Sequence, residues 1–327
     1  METLVIGHRE VAELLPMAAC IEVMAETLGT LTRGDAVLPL RSVVAQPDRR
    51  GVLGLMPSYL GQPRAIGVKV VTVFPGNLGT PYESHQGAVL VHETENGRLL
   101  AIVDAGAITE IRTAAVSGVA TRALARSEAR TLAILGAGTQ ARVHLEAMRA
   151  VRDIREVRVW SRTPAHARAF AERHRVHQAA TAREAVAGAD IVCTVTGAEA
   201  PILEGAWLQP GAHVNAVGAS RPPAREVDSA AVAMARLFVD RRESALNEAD
   251  DIRIPIREGR IREDHIAGEL GELLLGRVPG RTRADEITLF KSLGLAVEDL
   301  AAAHYVYAQA LALDRGARIE FSGERHR

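Results

Sequence analysis

Lysine is nearly absent from this chain: 39 of its 327 residues are basic, and only Lys69 and Lys291 are lysines. Both sit in apolar settings. Lys69 lies within Ala65-Ile-Gly-Val-Lys-Val-Val-Thr-Val73, a strand-like run of β-branched residues. An unpaired ammonium buried there costs several kcal/mol or gives up its proton. Such a lysine suits carboxylate binding or proton transfer; the plainer alternative is a lysine on an edge strand that reaches water. Arg41, in Leu38-Pro-Leu-Arg-Ser42, and Arg112, in Glu110-Ile-Arg-Thr-Ala-Ala115, also border apolar runs. Taken singly, each reads as structural. Converging on one place, Arg41, Lys69 and Arg112 would clamp a small carboxylate. His85, in the loop Glu83-Ser-His-Gln-Gly87, could donate a hydrogen bond to a substrate or simply stabilise its loop.

A second set of residues concerns a larger anion. In Thr131-Leu-Ala-Ile-Leu-Gly136-Ala-Gly138-Thr-Gln-Ala141 a short apolar strand breaks at glycine and a proline-free helical stretch, Gln140–Arg149, follows. This is the strand, tight turn and helix of a dinucleotide-binding fingerprint. Gly136 takes the turn, Gly138 lets a pyrophosphate approach the backbone, and Ala141 lets the helix pack on the strand. The amides of Thr139 and Gln140, at the start of the helix, face the phosphates. About 25 positions past Gly136, where NAD-binding units place an acidic residue against the ribose 2′-hydroxyl, the chain reads Ser161-Arg162-Thr163. A guanidinium flanked by two hydroxyls suits a 2′-phosphate, which favours NADPH with NAD(H) still open. The structural alternative makes Thr163 a helix N-cap before Pro164, with Arg162 solvated. No His/Cys/Asp/Glu group has metal-ligand spacing and no nucleophile elbow is present, so no metal is expected.

The elements that must hold these residues fall into two patterns. Residues 9–33 read as one or two amphipathic helices, and strands are expected at Val37–Val44, Gly51–Pro57 and Ala65–Phe74. Ala88–His92 and Leu99–Val103 bracket a hairpin turn at Glu95-Asn96-Gly97. Alanine-rich Thr113–Ala125 is expected as a connecting helix. Beyond the fingerprint, strands at Glu156–Trp160, Asp190–Thr196, His213–Gly218 and Arg236–Asp240 alternate with helices, including Thr163–His174 and Thr181–Ala187. That alternation implies a parallel, doubly wound α/β sheet beside a mixed α+β domain. The tail Asp285–Leu313 is expected to be helical. Net charge is −1, so no global field draws the chain to nucleic acid or an anionic membrane. Two distant cysteines, Cys20 and Cys193, and no secretory signal pattern point to a cytoplasmic protein.

The chain resembles the ornithine cyclodeaminase/mu-crystallin family over nearly its whole length. The matching stretches are Gly67-Val-Lys-Val-Val71, Ser84-His-Gln86, Arg112-Thr-Ala-Ala115, the Gly136–Ala141 fingerprint, Pro210–Pro222, Glu269-Leu-Gly-Glu272 and Phe290–Asp299. The resemblance implies a homodimer whose substrate and dimerisation domain, residues 1–117 and 302–327, surrounds a Rossmann domain at 118–301. It also implies a carboxylate pocket lined by Arg41, Lys69 and Arg112, with His85 and Ser220 beside the substrate. Arg112 and Thr113 would approach the cofactor diphosphate, and Thr196, Val217 and Ser292 would line the cofactor site. Cyclodeaminases carry an aspartate where this chain has Ser220 and tend to carry a glutamate where it has Met56. With neither carboxylate, a diamine ammonium lacks its partner, as in the ketimine reductase branch. The expected activity is therefore NADPH-dependent reduction of a small 2-imino acid, with Lys69 as proton source or electrostatic tuner. Met56, Tyr82 and His85 are candidates for shaping the side-chain pocket. The alternatives are an ornithine or lysine cyclodeaminase holding NAD, a non-catalytic NADPH-binding crystallin-like protein, and an amino acid dehydrogenase side activity.

Overall fold

The computed structural model describes residues 2–48, 50–77, 79–220 and 222–321. In chain order it opens with β1 (Glu2–Ile6), α1 (His8–Leu14), α2 (Met17–Arg33), β2 (Ala36–Val37), β3 (Ser42–Ala45), β4 (Val52–Leu60), β5 (Ala65–Val73), β6 (His85–His92), β7 (Leu99–Asp104) and α3 (Ala105–Leu124). A second series follows: β8 (Thr131–Leu135), α4 (Thr139–Val151), β9 (Glu156–Trp160), α5 (Pro164–His174), β10 (His177–Gln178), α6 (Ala182–Val186), β11 (Ile191–Thr194), β12 (His213–Ala216), α7 (Ser229–Met234) and β13 (Arg236–Val239). It ends with α8 (Arg242–Glu248), α9 (Asp250–Arg257), β14 (Ile266–Glu269), α10 (Leu270–Leu274) and β15 (Thr288–Lys291). The chain then closes with α11 (Ala296–Ala312) and β16 (Ala317–Glu320).

Two compact units result, Met1–Arg112 with Leu295–Arg327, and Thr113–Gly294. The sequence expectation set these divisions at 117/118 and 301/302. The first division falls inside α3, which no glycine or proline breaks at that point. The second falls at Leu295, the N-cap of α11, where a new helix begins.

The first unit is built on a mixed sheet of order β16-β1-β7-β6-β5-β4-β2, with β3 also paired to β4. β1 runs parallel to β7, and the other pairs are antiparallel. The run expected as one strand, Val37–Val44, is two short strands. Pro39 lies between them, and a residue without an N–H cannot extend a ladder. Arg41 is left in the connection. Alternation along β5 separates two faces: Ala65, Gly67 and Lys69 are buried, while Ile66 is 46% exposed. α11 packs along the buried face, against β4, β5 and β6, and also contacts α2. The other face carries Leu53, Leu55, Val68, Val70, Leu90 and Ile102, all only half-buried.

The second unit is a parallel sheet of order β10-β9-β8-β11-β12-β15-β13-β14. Counted from the fingerprint strand β8, the first five strands follow the 3-2-1-4-5 order of a doubly wound nucleotide fold, reversing between β8 and β11. Its central strands β8, β11, β12 and β15 are buried on both faces and show no alternation. That explains one departure from the sequence reading: the tail expected to be helical from Asp285 holds β15 first. A four-residue run such as Thr288-Leu-Phe-Lys291 carries no period that separates strand from helix.

Candidate functional site

In the first unit the antiparallel register sets Lys69 opposite Met56 on β4 and Val89 on β6. Lys69 therefore stands on a central strand, not an edge, and points to the face covered by α11. Its Nζ lies 3.1 Å from Oδ1 of Asp299. Arg112, from α3, donates through Nε to the same oxygen at 2.9 Å and through Nη1 to Oε2 of Glu298 at 2.9 Å. All four side chains are nearly inaccessible to solvent.

Glu298 and Asp299 occupy the first turn of α11, where the unpaired amides and helix dipole favour negative charge. Glu298 also accepts the Leu295 N–H at 3.1 Å, so one carboxylate caps the helix and anchors the arginine.

Burial lowers the Lys69 ammonium from 10.5 to about 8; Asp299 opposes the shift, and the positive charges of Arg112 and Arg41 add to it. Arg41 thus belongs to the same electrostatic group. Ser42, the next residue in the chain, pairs with Leu55, the neighbour of Met56 on β4. Three cations, Arg41, Lys69 and Arg112, act on this place together with Glu298 and Asp299. That concentration of cationic side chains suits a small carboxylate.

The structure brings Arg41, Lys69 and Arg112 together and sets Met56 directly across from Lys69. His85 opens β6 on the same sheet face but pairs with Val73, four residues along β5 from Lys69, or ~13 Å by strand rise. Its Nδ1 lies 3.0 Å from the Ser84 hydroxyl. Tyr82 is 66% exposed in the preceding loop. Glu298 and Asp299 were missed as partners, although they lie inside the quoted Phe290–Asp299 stretch. Two adjacent acids heading an apolar helix are a readable capping pattern, but nothing local says which cations they meet.

The second unit carries a backbone cradle. β8 ends at Leu135, and the Gly136 N–H donates to the Trp160 carbonyl at 2.8 Å. Gly136 has φ +126°, and a Cβ there would lie 2.8 Å from the Val195 carbonyl oxygen. Only glycine fits. Gly138 differs: its φ is −94°, and a Cβ would meet no protein atom within 4 Å. Neither conformation nor packing requires glycine at 138, yet it takes the N-cap of α4 with no side-chain cap. Close approach of a ligand backbone, as for a pyrophosphate, accounts for it. The amides of Thr139 and Gln140 open the helix without intrahelical acceptors, and Ala141 is fully buried against the strand. These residues fit a dinucleotide.

Ser161, Arg162 and Thr163 follow β9. Thr163 is the N-cap of α5, but its hydroxyl makes no capping hydrogen bond. Arg162 is exposed and makes no ion pair among the described residues. Thr196, Val217 and Ser292 each lie one or two residues beyond β11, β12 and β15, at the carboxyl ends of adjacent parallel strands where such folds bind ligands. Ser220 follows β12 and is half-buried. Thr113 opens this unit within α3. Among the described residues no three His, Cys, Asp or Glu side chains are grouped to hold a metal ion.

Residues 1–314 match the ornithine cyclodeaminase/mu-crystallin family. The chain is 44% identical over 276 residues, 84% of its length and 85% of the relative's, to the ketimine reductase mu-crystallin of Mus musculus. Its structure is similar to that of Thermococcus litoralis Delta(1)-pyrroline-2-carboxylate reductase in complex with NADH and L-proline: TM-score 0.93, 37% identity, covering 97% of this chain and 100% of that one. An archaeal alanine dehydrogenase dimer with bound NAD is also similar, with TM-score 0.92 and 32% identity over 98% of this chain and 100% of that one. With a buried cation site on one unit, a dinucleotide cradle on the other and a match that runs through both, the chain belongs to the ornithine cyclodeaminase/mu-crystallin family.

Proposed function

We propose that the protein reduces small cyclic or linear 2-imino acids to L-amino acids, with NADPH as the preferred reductant. Delta(1)-pyrroline-2-carboxylate and Delta(1)-piperideine-2-carboxylate are the candidate substrates. The carrying observation is the grouping of Arg41, Lys69 and Arg112 about one buried place, with the Lys69 ammonium lowered to about 8. A substrate carboxylate bound by these cations has the orientation of its C2 fixed. A bound reduced nicotinamide supplies the hydride to the electrophilic C2 of the protonated imine. Fixing both reactants turns the transfer into an effectively unimolecular step. Lys69, with its ammonium brought to about 8, keeps the imine nitrogen protonated by donating from Nζ. Met56, apolar and opposite Lys69, offers no anion to a diamine ammonium, which disfavours cyclodeaminase chemistry. The Mus musculus and Thermococcus litoralis relatives, named for ketimine and pyrroline-2-carboxylate reduction, support the reading.

The preference for NADPH rests on Arg162 and the uncommitted Thr163 hydroxyl; the similar archaeal proteins were solved with NADH and NAD. The half-buried apolar face of the first sheet, with Ile66 and Val44 exposed, supports a homodimer through that face, as does the dimeric alanine dehydrogenase. Two free, buried thiols suit a reducing, cytoplasmic setting.

The test is oxidation of NADPH and NADH with each cyclic imine, beside an ammonia assay with ornithine alone. Rapid oxidation favouring NADPH with ornithine inert is expected. Ammonia release from ornithine with both imines silent would replace this reading with a cyclodeaminase. Tight NADPH binding with no turnover would leave a binding protein.

A further inference from the structure

Within the second unit, a buried carboxylate ties together the two turns beyond β11 and β12. Glu226 is inaccessible to solvent. Its Oε1 accepts the Thr196 N–H and, at 2.7 Å, the Thr196 hydroxyl; its Oε2 accepts the Gly218 N–H at 2.7 Å and the Thr194 hydroxyl at 2.8 Å. The turns touch: a Cβ at Gly218 would fall 1.9 Å from the Thr196 carbonyl oxygen. Glu226 is itself held from behind. Asp251, on α9, accepts the N–H groups of Glu226 and Val227 on Oδ1, each at 2.9 Å. Its Oδ2 lies 2.9 Å from Nζ of Lys291, the fully buried last residue of β15. The second of the chain's two lysines thus closes a relay from β15 through α9 to β11 and β12. The two turns lie beyond the order reversal, on the side away from the ribose-reading residues after β9, which is where the nicotinamide half of a dinucleotide belongs.

We infer that Glu226 is a positioning residue for the nicotinamide half of the cofactor, oriented by Asp251 and Lys291. This rests on the reading of the second unit as a dinucleotide domain. Four donors converge on one carboxylate, and two of them are backbone amides that cannot reverse their role. Glu226→Gln puts an NH2 against either Thr196 N–H or Gly218 N–H, so one turn loses its anchor. A shift of about 1 Å at the reacting carbon costs on the order of 100-fold in rate. The adenosine half, bound at Gly136, Gly138 and Ser161–Thr163, stays as it was.

The charges that face Glu226 are Lys291 from β15, which favours its ionised form, and Asp251 from α9, which opposes it; burial dominates and raises its pKa. Neutralising Lys291 raises it further, so the acid limb of the rate profile moves to higher pH.

The experiment uses the full-length protein, with NADH emission, ADP-ribose affinity and kcat measured on wild type, Glu226→Gln and the isosteric Thr194→Val. For Glu226→Gln we expect kcat to fall about 10- to 100-fold, bound-NADH emission to change, and ADP-ribose affinity to stay within about twofold. Thr194→Val, which deletes one hydroxyl donor from a buried position, gives the same split at a few-fold level should Glu226→Gln not fold. Asp251→Asn/Lys291→Met, which keeps the Oδ1 acceptor but removes both charges, moves the acid limb upward, because Lys291 acts on Glu226 more strongly than Asp251 does. Equal loss of kcat and ADP-ribose affinity would mean a structural role only and overturn the inference. So would variants indistinguishable from wild type. If wild type binds neither NADH nor ADP-ribose, the dinucleotide reading itself falls and takes this inference with it.

Discussion

The two candidate binding regions are made of opposite materials. In the second unit the anion site is backbone: glycines, helix amides and a small residue within a dozen positions of sequence. In the first it is side chain: Lys69 on β5, Arg112 on α3 and Asp299 on α11, the lysine and aspartate separated by 230 positions. A backbone cradle costs little to assemble and tolerates solvent. The cation group is buried, and each member is tolerated only because the others are present. The cradle can be weakened by adding atoms, the cation group by removing them.

Lys69→Ala should have the largest effect, because it removes charge and proton donor together. We expect kcat/KM to fall about 1000-fold or more, within the range of general-acid losses, with NADPH affinity within about threefold by titration. Near-normal turnover would end the proposed role of Lys69. Gly138→Val attacks the other region. Its Cβ meets no protein atom within 4 Å, so the melting temperature should hold while the Kd for NADH rises about 100-fold, worth ~2.8 kcal/mol. A lower melting temperature with unchanged Kd would show that the glycine serves packing instead. Arg162→Ala should raise KM for NADPH about tenfold, one charge-assisted contact's worth, and leave KM for NADH nearly unchanged. Equal changes would remove the 2′-phosphate assignment. The mildest probe is pH. The Lys69 ammonium is held at about 8 rather than 10.5, so the protonated, active form dominates below that value. The rate constant kcat/KM should decline as pH rises through about 8, and a profile flat to pH 10 would exclude Lys69 as the titrating donor.

The same contrast decides what was legible in the sequence. Gly136, Gly138 and Ala141 could be read because their roles follow from spacing along a strand and a helix. The doubly wound sheet was readable from alternation, but β15 was not: its four residues are buried on both sides and show no period. Lys69 drew attention through its apolar neighbours, and the structure supplies what they could not, a central strand and Asp299. Glu298 and Asp299 stand in the sequence only as two acids inside a stretch expected to be helical. Glu226 carries no mark in the sequence, and Asp228, two positions on, caps α7, accepting the Ala231 N–H at 2.8 Å. The two acids differ by two positions and by everything they touch, and no local pattern separates them.

The interrupted layout of the first unit also bears on how the chain is made. At about 5–20 residues per second, synthesis reaches Asp299 roughly 10 to 50 seconds after Lys69. Through that interval Lys69 lacks Asp299, and the sheet lacks the helix that covers it. The second unit is complete at Gly294 and can fold first. The cation site is therefore among the last parts of the molecule to form, and a nascent chain passes most of its synthesis with an open apolar sheet exposed to chaperones and proteases.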